Sequence, residues 1–222
     1  MRHAARQFRG IARLRLSRTR EAADDLAATG ADDAPRSVRG ASLYYLGQAR
    51  MRLGDAEGAR AALARIEEQK LDEDLVRKAG ALLRDVEKIG RRVPDLDDVA
   101  FGGGRPTALL FFRAGHGDGL DDLKALAALA RARPGALRVV AVTVDGDVAA
   151  AKLAIQAAGV AAGEDLIVRH DEGTGRLAGR WNPPALPWVY LLDGETEVRA
   201  TGLRAGWVGP ALEALGPAPP GR

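Results

Sequence analysis

The stretch PTALLFFRAGHGDGLDDLKALAALA, residues 106–130, decides the fold of the second half of this chain. Its apolar run at 107–113 predicts a buried strand, and the segment GHGDG that follows predicts a tight turn. Beyond the turn, apolar residues recur at helical spacing as far as residue 130. The stretch therefore predicts a strand, a turn and an amphipathic helix in succession.

Strands and helices continue to alternate after this stretch. Four more strands are predicted, at 138–144, 165–169, 188–192 and 196–201. The predicted helices lie at about 119–133, 147–158, 172–179 and 206–215. Continuous apolar strands indicate a sheet that is covered on both faces, and DGE between the last two strands indicates an antiparallel hairpin. The second half is thus predicted to be an α/β domain that ends in a strand, strand, helix unit.

The first ninety residues have a helical pattern with an internal repeat of 37 residues. FRGIARLRLSRTREAADDL, at 8–26, aligns with YLGQARMRLGDAEGARAAL, at 45–63. The aligned pairs include Phe8 with Tyr45, Gly10 with Gly47, and Leu26 with Leu63. Small residues such as Gly47 and Ala59 allow two antiparallel helices to approach closely. A further helix at 71–90 is predicted to end the stack.

The second copy of this repeat resembles a tetratricopeptide repeat (TPR). The residues that match the family pattern are Leu46, Gly47, Ala49, Gly54, Asp55, Ala59 and Leu63. The copy departs from the pattern at Arg50, where an aromatic residue is usual, and at Ile66, where alanine is usual. The resemblance implies two degenerate TPR-like helical hairpins, which would present a groove for a partner segment.

A change of composition separates the two halves. RRVPDLDDVAFGGGRP, at 91–106, interrupts the helical period with two prolines and three successive glycines. We therefore predict helical repeats at 1–92, an α/β domain at 93–216 and a flexible C-terminal tail at 217–222.

Charge and hydropathy narrow the function classes. Residues 1–20 contain seven arginines and no acidic residue, while the whole chain carries +3, so the remainder sums to 3 − 7 = −4. Because no recognised nucleic-acid-binding module accompanies this charge, nucleic acid is not predicted as a partner.

No apolar run approaches the roughly 18 residues of a membrane span, and the start lacks the apolar core of a secretory leader. A cytoplasmic location is predicted, with an extracytoplasmic one as the alternative if a leader has been removed.

From about residue 94 to residue 216, the sequence resembles a thioredoxin-fold domain of the TlpA/ResA-like group. GRPTALLFFRAG, at 104–115, is similar to the start of that domain and its first core strand. EDLIVRHDEGTGRLAGRWNPPALPWVYLLDGETEVRATG, at 164–202, is similar to the segment in which a strand ends in Asp and a proline precedes a hairpin. The resemblance implies a thioredoxin fold and a cis peptide bond between Leu186 and Pro187.

The same resemblance places Gly117 and Leu120 at the two positions where the family has its redox cysteines. The chain contains no cysteine, which excludes disulfides, thiol nucleophiles and cysteine metal ligands. Asp118 is predicted to be the N-cap of the helix, and Asp121 the acidic residue of a capping box. The redox turn is therefore predicted to have become a capped helix start.

We interpret the chain as a non-catalytic protein-binding adaptor or a subunit of a larger assembly, with no cofactor and no metal. The candidate binding residues are His116, Gly117, Asp118, Leu186, Pro187 and Trp188 in the α/β domain, and Arg13 and Arg50 in the helical region. The two arginines are predicted to bind an acidic segment of the partner. For Trp188, the sequence leaves open whether the side chain packs in the core or lines a groove.

An enzyme is the alternative interpretation. His116, Asp118 and His170 would form a metal-binding or acid–base site, since histidine near carboxylates serves both purposes. The spacing of these residues matches no metal-ligand motif, and Asp171, beside His170, matches a structural position of the family. A third possibility is that the thioredoxin-like domain is only a structural part of an assembly.

Overall fold

The computed structural model describes residues 2–93, 104–171 and 176–215. It divides into two compact units, Met1–Gly90 and Arg91–Arg222. The predicted tail at 217–222 and most of the proline- and glycine-rich segment lie outside the described residues. No helix within the described ranges is both long enough and apolar enough to cross a membrane.

The first unit consists of helices that pack in chain order. Its helices are α1 (Arg2–Arg15), α2 (Thr19–Thr29), α3 (Arg36–Arg52), α4 (Ala56–Glu68) and α5 (Glu73–Val86). α1 and α2 form one hairpin and α3 and α4 the next, and α5 packs on α4. The two hairpins have the period of the sequence repeat, since α1 ends 37 residues before α3 ends and α2 begins 37 residues before α4 begins.

Each hairpin is closed by the same contact between a glycine and a leucine. A Cβ atom on Gly10 would lie 2.9 Å from Cγ of Leu26, and a Cβ atom on Gly47 would lie 2.5 Å from Cγ of Leu63. Both leucines are fully buried. Only glycine lets the helices approach this closely, so the repeat in the sequence reflects a repeated packing contact.

Gly47→Ala is expected to lower the free energy of unfolding by about 1–2 kcal/mol, because overpacking against Leu63 outweighs the gain in helix propensity. Gly80→Ala, in α5, is the matched control, since nothing lies within 4 Å of a Cβ atom there. It is expected to raise the free energy of unfolding by about 0.5–1 kcal/mol. Urea unfolding followed by circular dichroism measures both, and equal stability of the two variants would contradict close packing at Gly47.

The second unit is built on a mixed sheet of five strands within the described residues. The strands are β1 (Thr107–Phe112), β2 (Arg138–Thr143), β3 (Leu166–His170), β4 (Trp188–Leu192) and β5 (Val198–Leu203), in the order β3-β2-β1-β4-β5. β1, β2 and β3 are parallel, whereas β4 runs antiparallel to β1 and β5 antiparallel to β4. The order and directions of these strands are those of a thioredoxin fold, as the resemblance implied.

Helices cover both faces of this sheet. They are α6 (Gly117–Ala132), α7 (Val148–Ala157), α8 (Arg176–Trp181) and α9 (Ala205–Leu215). β1 is buried over its full length, and its side chains alternate between the two faces. On one face, Phe112 packs in a core cluster with Leu126 of α6 and Val208 of α9. On the other face, Phe111 packs against Trp181 of α8, with ring centroids 5.8 Å apart.

The last strand starts two residues later than predicted because the turn before it is longer. Asp193 Oδ1 accepts hydrogen bonds from the backbone amides of Glu195 and Glu197. Thr196, between them, has a positive φ of 69°. The side chain of Asp193 thus organises a turn that continues through Glu197, and the strand begins only at Val198.

Candidate functional site

The turn between β1 and α6 starts the helix earlier than the sequence predicted. α6 begins at Gly117, and His116 is the N-cap, with extended backbone and no side-chain capping bond. Asp118 therefore lies in the first turn and is exposed, so its predicted role as N-cap, with Asp121 as capping-box acid, is wrong. The reason is Gly119, where a Cβ atom would lie 2.5 Å from the carbonyl oxygen of Arg113. This close approach fixes the start of the helix against the end of the strand.

A carboxylate from a neighbouring strand satisfies the amides of this turn instead. Asp145 follows β2, and its Oδ2 accepts a hydrogen bond of 2.7 Å from the amide of Ala114. Its Oδ1 accepts one of 3.3 Å from the amide of Gly115, and the hydroxyl of Thr143 also donates to this carboxylate. Burial acts to raise the pKa of Asp145, but these hydrogen bonds and the nearby Arg113 lower it below its ordinary value. The turn is therefore held by an ionised carboxylate.

Sequence reasoning missed Asp145, although the sequence contains a signal for it. The residue comes directly after the apolar run of β2, and the ends of neighbouring parallel strands meet at one edge of the sheet. A carboxylate at such a position is within reach of the turn that follows the adjacent strand, β1. That argument also needs the strand order, which is a property of the folded sheet and not of either segment alone.

A cavity of about 570 Å³ opens beside this turn. Its lining includes Arg113, His116, Ala178, Asn182, Leu186 and Pro187. The peptide bond between Leu186 and Pro187 is cis, which confirms the prediction. Of the predicted binding residues, the structure therefore brings together His116, Leu186 and Pro187. Gly117 and Asp118 are exposed at the start of α6 and are not among the described residues that line the cavity.

Trp188 lies against the neighbouring strand. Its Nε1 donates a hydrogen bond of 2.9 Å to Oγ1 of Thr201 in β5. A Cβ atom on Gly202 would lie 3.2 Å from Cζ2 of the indole, so glycine at this position makes room for the ring. This geometry favours the packing interpretation of Trp188 over a place in the groove.

The three residues of the enzyme interpretation do not form one site. His116 lines the cavity beside Pro187, whereas His170 lines a separate cavity of about 590 Å³ with Lys152 and Val160. Across the part of the chain that the structure describes, no three histidine, aspartate or glutamate side chains come together to hold a metal ion. The geometry thus gives the metal or acid–base interpretation no support.

Asp171, beside His170, has the structural role that the resemblance implied. It is buried, and its carboxylate accepts hydrogen bonds of 3.2 Å from the amide of Leu177 and 2.9 Å from the amide of Ala178. These amides belong to the first turn of α8, so Asp171 fixes the start of that helix. The helix in turn places Ala178 in the wall of the cavity.

The arginines of the predicted groove have acidic partners within the helical unit. Arg13 Nη1 lies 2.6 Å from Asp25 Oδ2, and Arg13 Nη2 lies 3.1 Å from Glu21 Oε2. Arg50 Nε lies 3.7 Å from Asp55 Oδ2. The unit therefore already neutralises the charges that were predicted to attract an acidic segment, which weakens that prediction.

Comparison with known proteins finds similarity in structure only. No family model matches this sequence, and no curated protein matches it. A thioredoxin-like protein from Parabacteroides distasonis is 16% identical, with 56% of this chain and 93% of that one covered and a TM-score of 0.47. The thioredoxin domain of a thiol-disulfide oxidoreductase from Bacteroides vulgatus is 17% identical, with coverages of 50% and 79% and a TM-score of 0.44. StoA from Bacillus subtilis is 17% identical, with coverages of 49% and 82% and a TM-score of 0.41.

The order and connections of the strands define the second unit as a thioredoxin-fold domain. It lacks the two cysteines of the thioredoxin-like thiol-disulfide oxidoreductases, and thiol–disulfide chemistry is not open to a chain without cysteine.

Proposed function

We propose that this chain is a non-catalytic protein-binding adaptor or assembly subunit, and that its thioredoxin-fold unit holds an extended segment of a partner protein. The observation that carries this proposal is the cavity beside Pro187, which is present in a chain without cysteine. The resemblance places Gly117 and Leu120 at the cysteine positions of the family. An adaptor needs a surface that binds its partner, and it needs no reactive group such as a redox cysteine.

The lining of the cavity supports a protein ligand. Its volume of about 570 Å³ is within the range of binding pockets, and Ala178, Leu186 and Pro187 give it apolar walls. The turn is held by its hydrogen bonds to Asp145, and the start of α8 by its hydrogen bonds to Asp171. A preformed site of this kind reduces the entropy that binding has to overcome.

We place the partner on the thioredoxin-fold unit rather than on the arginines of the helical unit. Arg13 forms ion pairs with Asp25 and Glu21, so an acidic segment would have to displace both. The helical hairpins remain a candidate for a second protein contact, since stacked hairpins present extended surfaces.

Filling the cavity tests the proposal. Gly179 lines it and has nothing within 4 Å of a Cβ atom, so Gly179→Leu is expected to occupy the cavity without disturbing the fold. Gly206→Leu, in α9, is the matched control, because that glycine is also helical, open and outside the described lining. Proteins captured from a lysate of the source organism by the immobilised chain are expected to fall about tenfold with Gly179→Leu, a loss of about 1.4 kcal/mol in binding. The control is expected to capture them unchanged.

Equal capture by both variants, with circular dichroism spectra like that of the parent chain, would place the binding surface elsewhere and count against the proposal.

A further inference from the structure

Two basic residues, Arg113 and His116, lie in the lining of the cavity beside Pro187. Among the described residues that line it, only Arg113 and His116 carry ionisable side chains, and both are basic. Both are exposed, and both lie on the turn that forms one wall. The remaining described lining is apolar apart from the amide side chain of Asn182. The cavity therefore presents positive charge against apolar walls.

Neither of these two basic side chains has a hydrogen-bond or ion-pair partner among the described residues. Arg113 influences Asp145 through its charge, but it makes no side-chain hydrogen bond or ion pair within the described ranges. The carboxylate of Asp145 is instead occupied by the amides of Ala114 and Gly115 and the hydroxyl of Thr143. With respect to the described residues, the guanidinium of Arg113 therefore has its hydrogen-bond donors available for a ligand.

We infer that the cavity binds its partner segment through an acidic side chain of that segment, with the carboxylate held by Arg113 and His116. The inference rests on the proposed function and names the chemistry of the partner. A guanidinium matches a carboxylate with two parallel hydrogen bonds, which are charge-assisted and stronger than neutral ones. The apolar walls at Ala178, Leu186 and Pro187 take an apolar residue next to the acidic one.

An extended segment fits the site better than an isolated anion. The two basic side chains occupy one wall only, while the rest of the lining runs over α8 and the loop that ends at Pro187. A small carboxylate would leave those apolar walls exposed to water, whereas a peptide covers them. The acidic side chain therefore sets the position of the segment, and its neighbours add apolar contact.

The probes are two blocked pentapeptides, Ala-Val-Asp-Val-Ala and Ala-Val-Asn-Val-Ala, titrated into the ¹⁵N-labelled full chain and followed by NMR. The Asp peptide is expected to shift the amide signals of Ala114, His116 and Leu186 and to bind about tenfold more tightly than the Asn peptide. Arg113→Gln is expected to remove the difference in affinity between the two peptides. Arg113→Lys is expected to retain part of it, since lysine keeps the positive charge but cannot donate two parallel hydrogen bonds. Arg131→Gln, an exposed change in α6, is the matched control and is expected to retain the full difference.

The outcomes separate this inference from the function on which it rests. Equal binding of the two peptides at the cavity would overturn the carboxylate inference and leave the peptide site standing. Absence of any shift at the cavity with both peptides would overturn the inference and the proposed peptide site together. Sodium acetate that shifts the same amides and competes fully with the Asp peptide would also overturn the inference, in favour of a small-anion site. The preference for Asp in the parent chain, with its loss in Arg113→Gln, would support it.

Discussion

Asp25→Asn is expected to lower the free energy of unfolding of the helical unit by about 2 kcal/mol at neutral pH. The carboxylate of Asp25 lies on α2, has a side chain only 2% exposed, and accepts hydrogen bonds from Arg6, Arg9 and Arg13 of α1. Asparagine keeps the shape but removes the charge, so three arginines lose their shared partner. Because these arginines are partly exposed, water relieves part of the loss. Urea unfolding followed by circular dichroism measures the effect.

The carboxylate of Asp25 is also expected to make the stability of the protein sensitive to acid. The pKa of Asp25 is lowered from 3.8 to about 2, first by the hydrogen bonds from Arg9 against the opposing effect of burial, and then by Arg6 and Arg13. Since the folded pKa lies below the unfolded one, the stability supplied by Asp25 is complete above about pH 5 and is lost as the pH falls through 4 towards 2. The difference between the two pKa values corresponds to about 2 kcal/mol. The parent chain is expected to lose this amount between pH 6 and pH 2 in excess of what Asp25→Asn loses.

Asp24→Asn is the matched control, because Asp24 is exposed on the same helix. We expect it to change the free energy of unfolding by less than about 0.5 kcal/mol and to keep the acid sensitivity of the parent chain. If Asp25→Asn lost as much stability on acidification as the parent chain, the arginine cluster would not be the source of that sensitivity.

The order of strands and helices could be predicted from the sequence because it depends on local periodicity, whereas the thioredoxin fold followed from the resemblance. The apolar run that became β1 and the helical spacing after it were sufficient to place a strand and a helix on either side of the turn. In the helical unit, Gly10 and Gly47 lie at equivalent positions of the two hairpins. Their alignment in the sequence repeat therefore predicted that both hairpins are packed through the same kind of close contact. Bounds moved where contacts within a turn decided them, as with Gly119 against Arg113 at the start of α6.

The candidate site was predictable only in part, because its side chains come from distant segments. The cis bond before Pro187 followed from the resemblance and was confirmed. The role of Asp145 was not predicted, since it depends on β2 lying beside β1. The partners of Arg13 were also missed. The sequence held a signal for them, because the first twenty positions contain seven arginines and no acidic residue, and Asp25 is among the first acidic residues that follow.

The turn after β1 keeps its shape through contacts that involve no cysteine. The turn after β1 is fixed by Asp145, Gly119 and the core behind it, none of which depends on a disulfide. The shape of the turn therefore needs no cysteine. Two cysteines introduced at Gly117 and Leu120 should then be accommodated without rebuilding the fold.

Gly117→Cys combined with Leu120→Cys is expected to give the chain disulfide reductase activity, whereas the parent chain is expected to reduce insulin no faster than a dithiothreitol blank. The two residues are the first and fourth of α6, and helix geometry places such Cα atoms about 5 Å apart, within the range of a disulfide. The start of the helix also stabilises a thiolate. Insulin reduction with dithiothreitol measures the activity, and mass spectrometry shows whether the disulfide closes.

The matched control is a second pair of cysteines at the start of α9, made by Gly206→Cys with Gly209→Cys. This pair has the same spacing near the start of a helix in the same unit, but it is not among the described residues that line the cavity. It is expected to close a disulfide and to reduce insulin far more slowly, because no binding site holds the substrate beside it. Failure of the pair in α6 to close a disulfide would show that Gly117 and Leu120 do not occupy the cysteine positions. A pair in α6 that closes but reduces insulin no faster than the pair in α9 would mean that the cavity beside Pro187 does not hold an extended segment, against the proposed function.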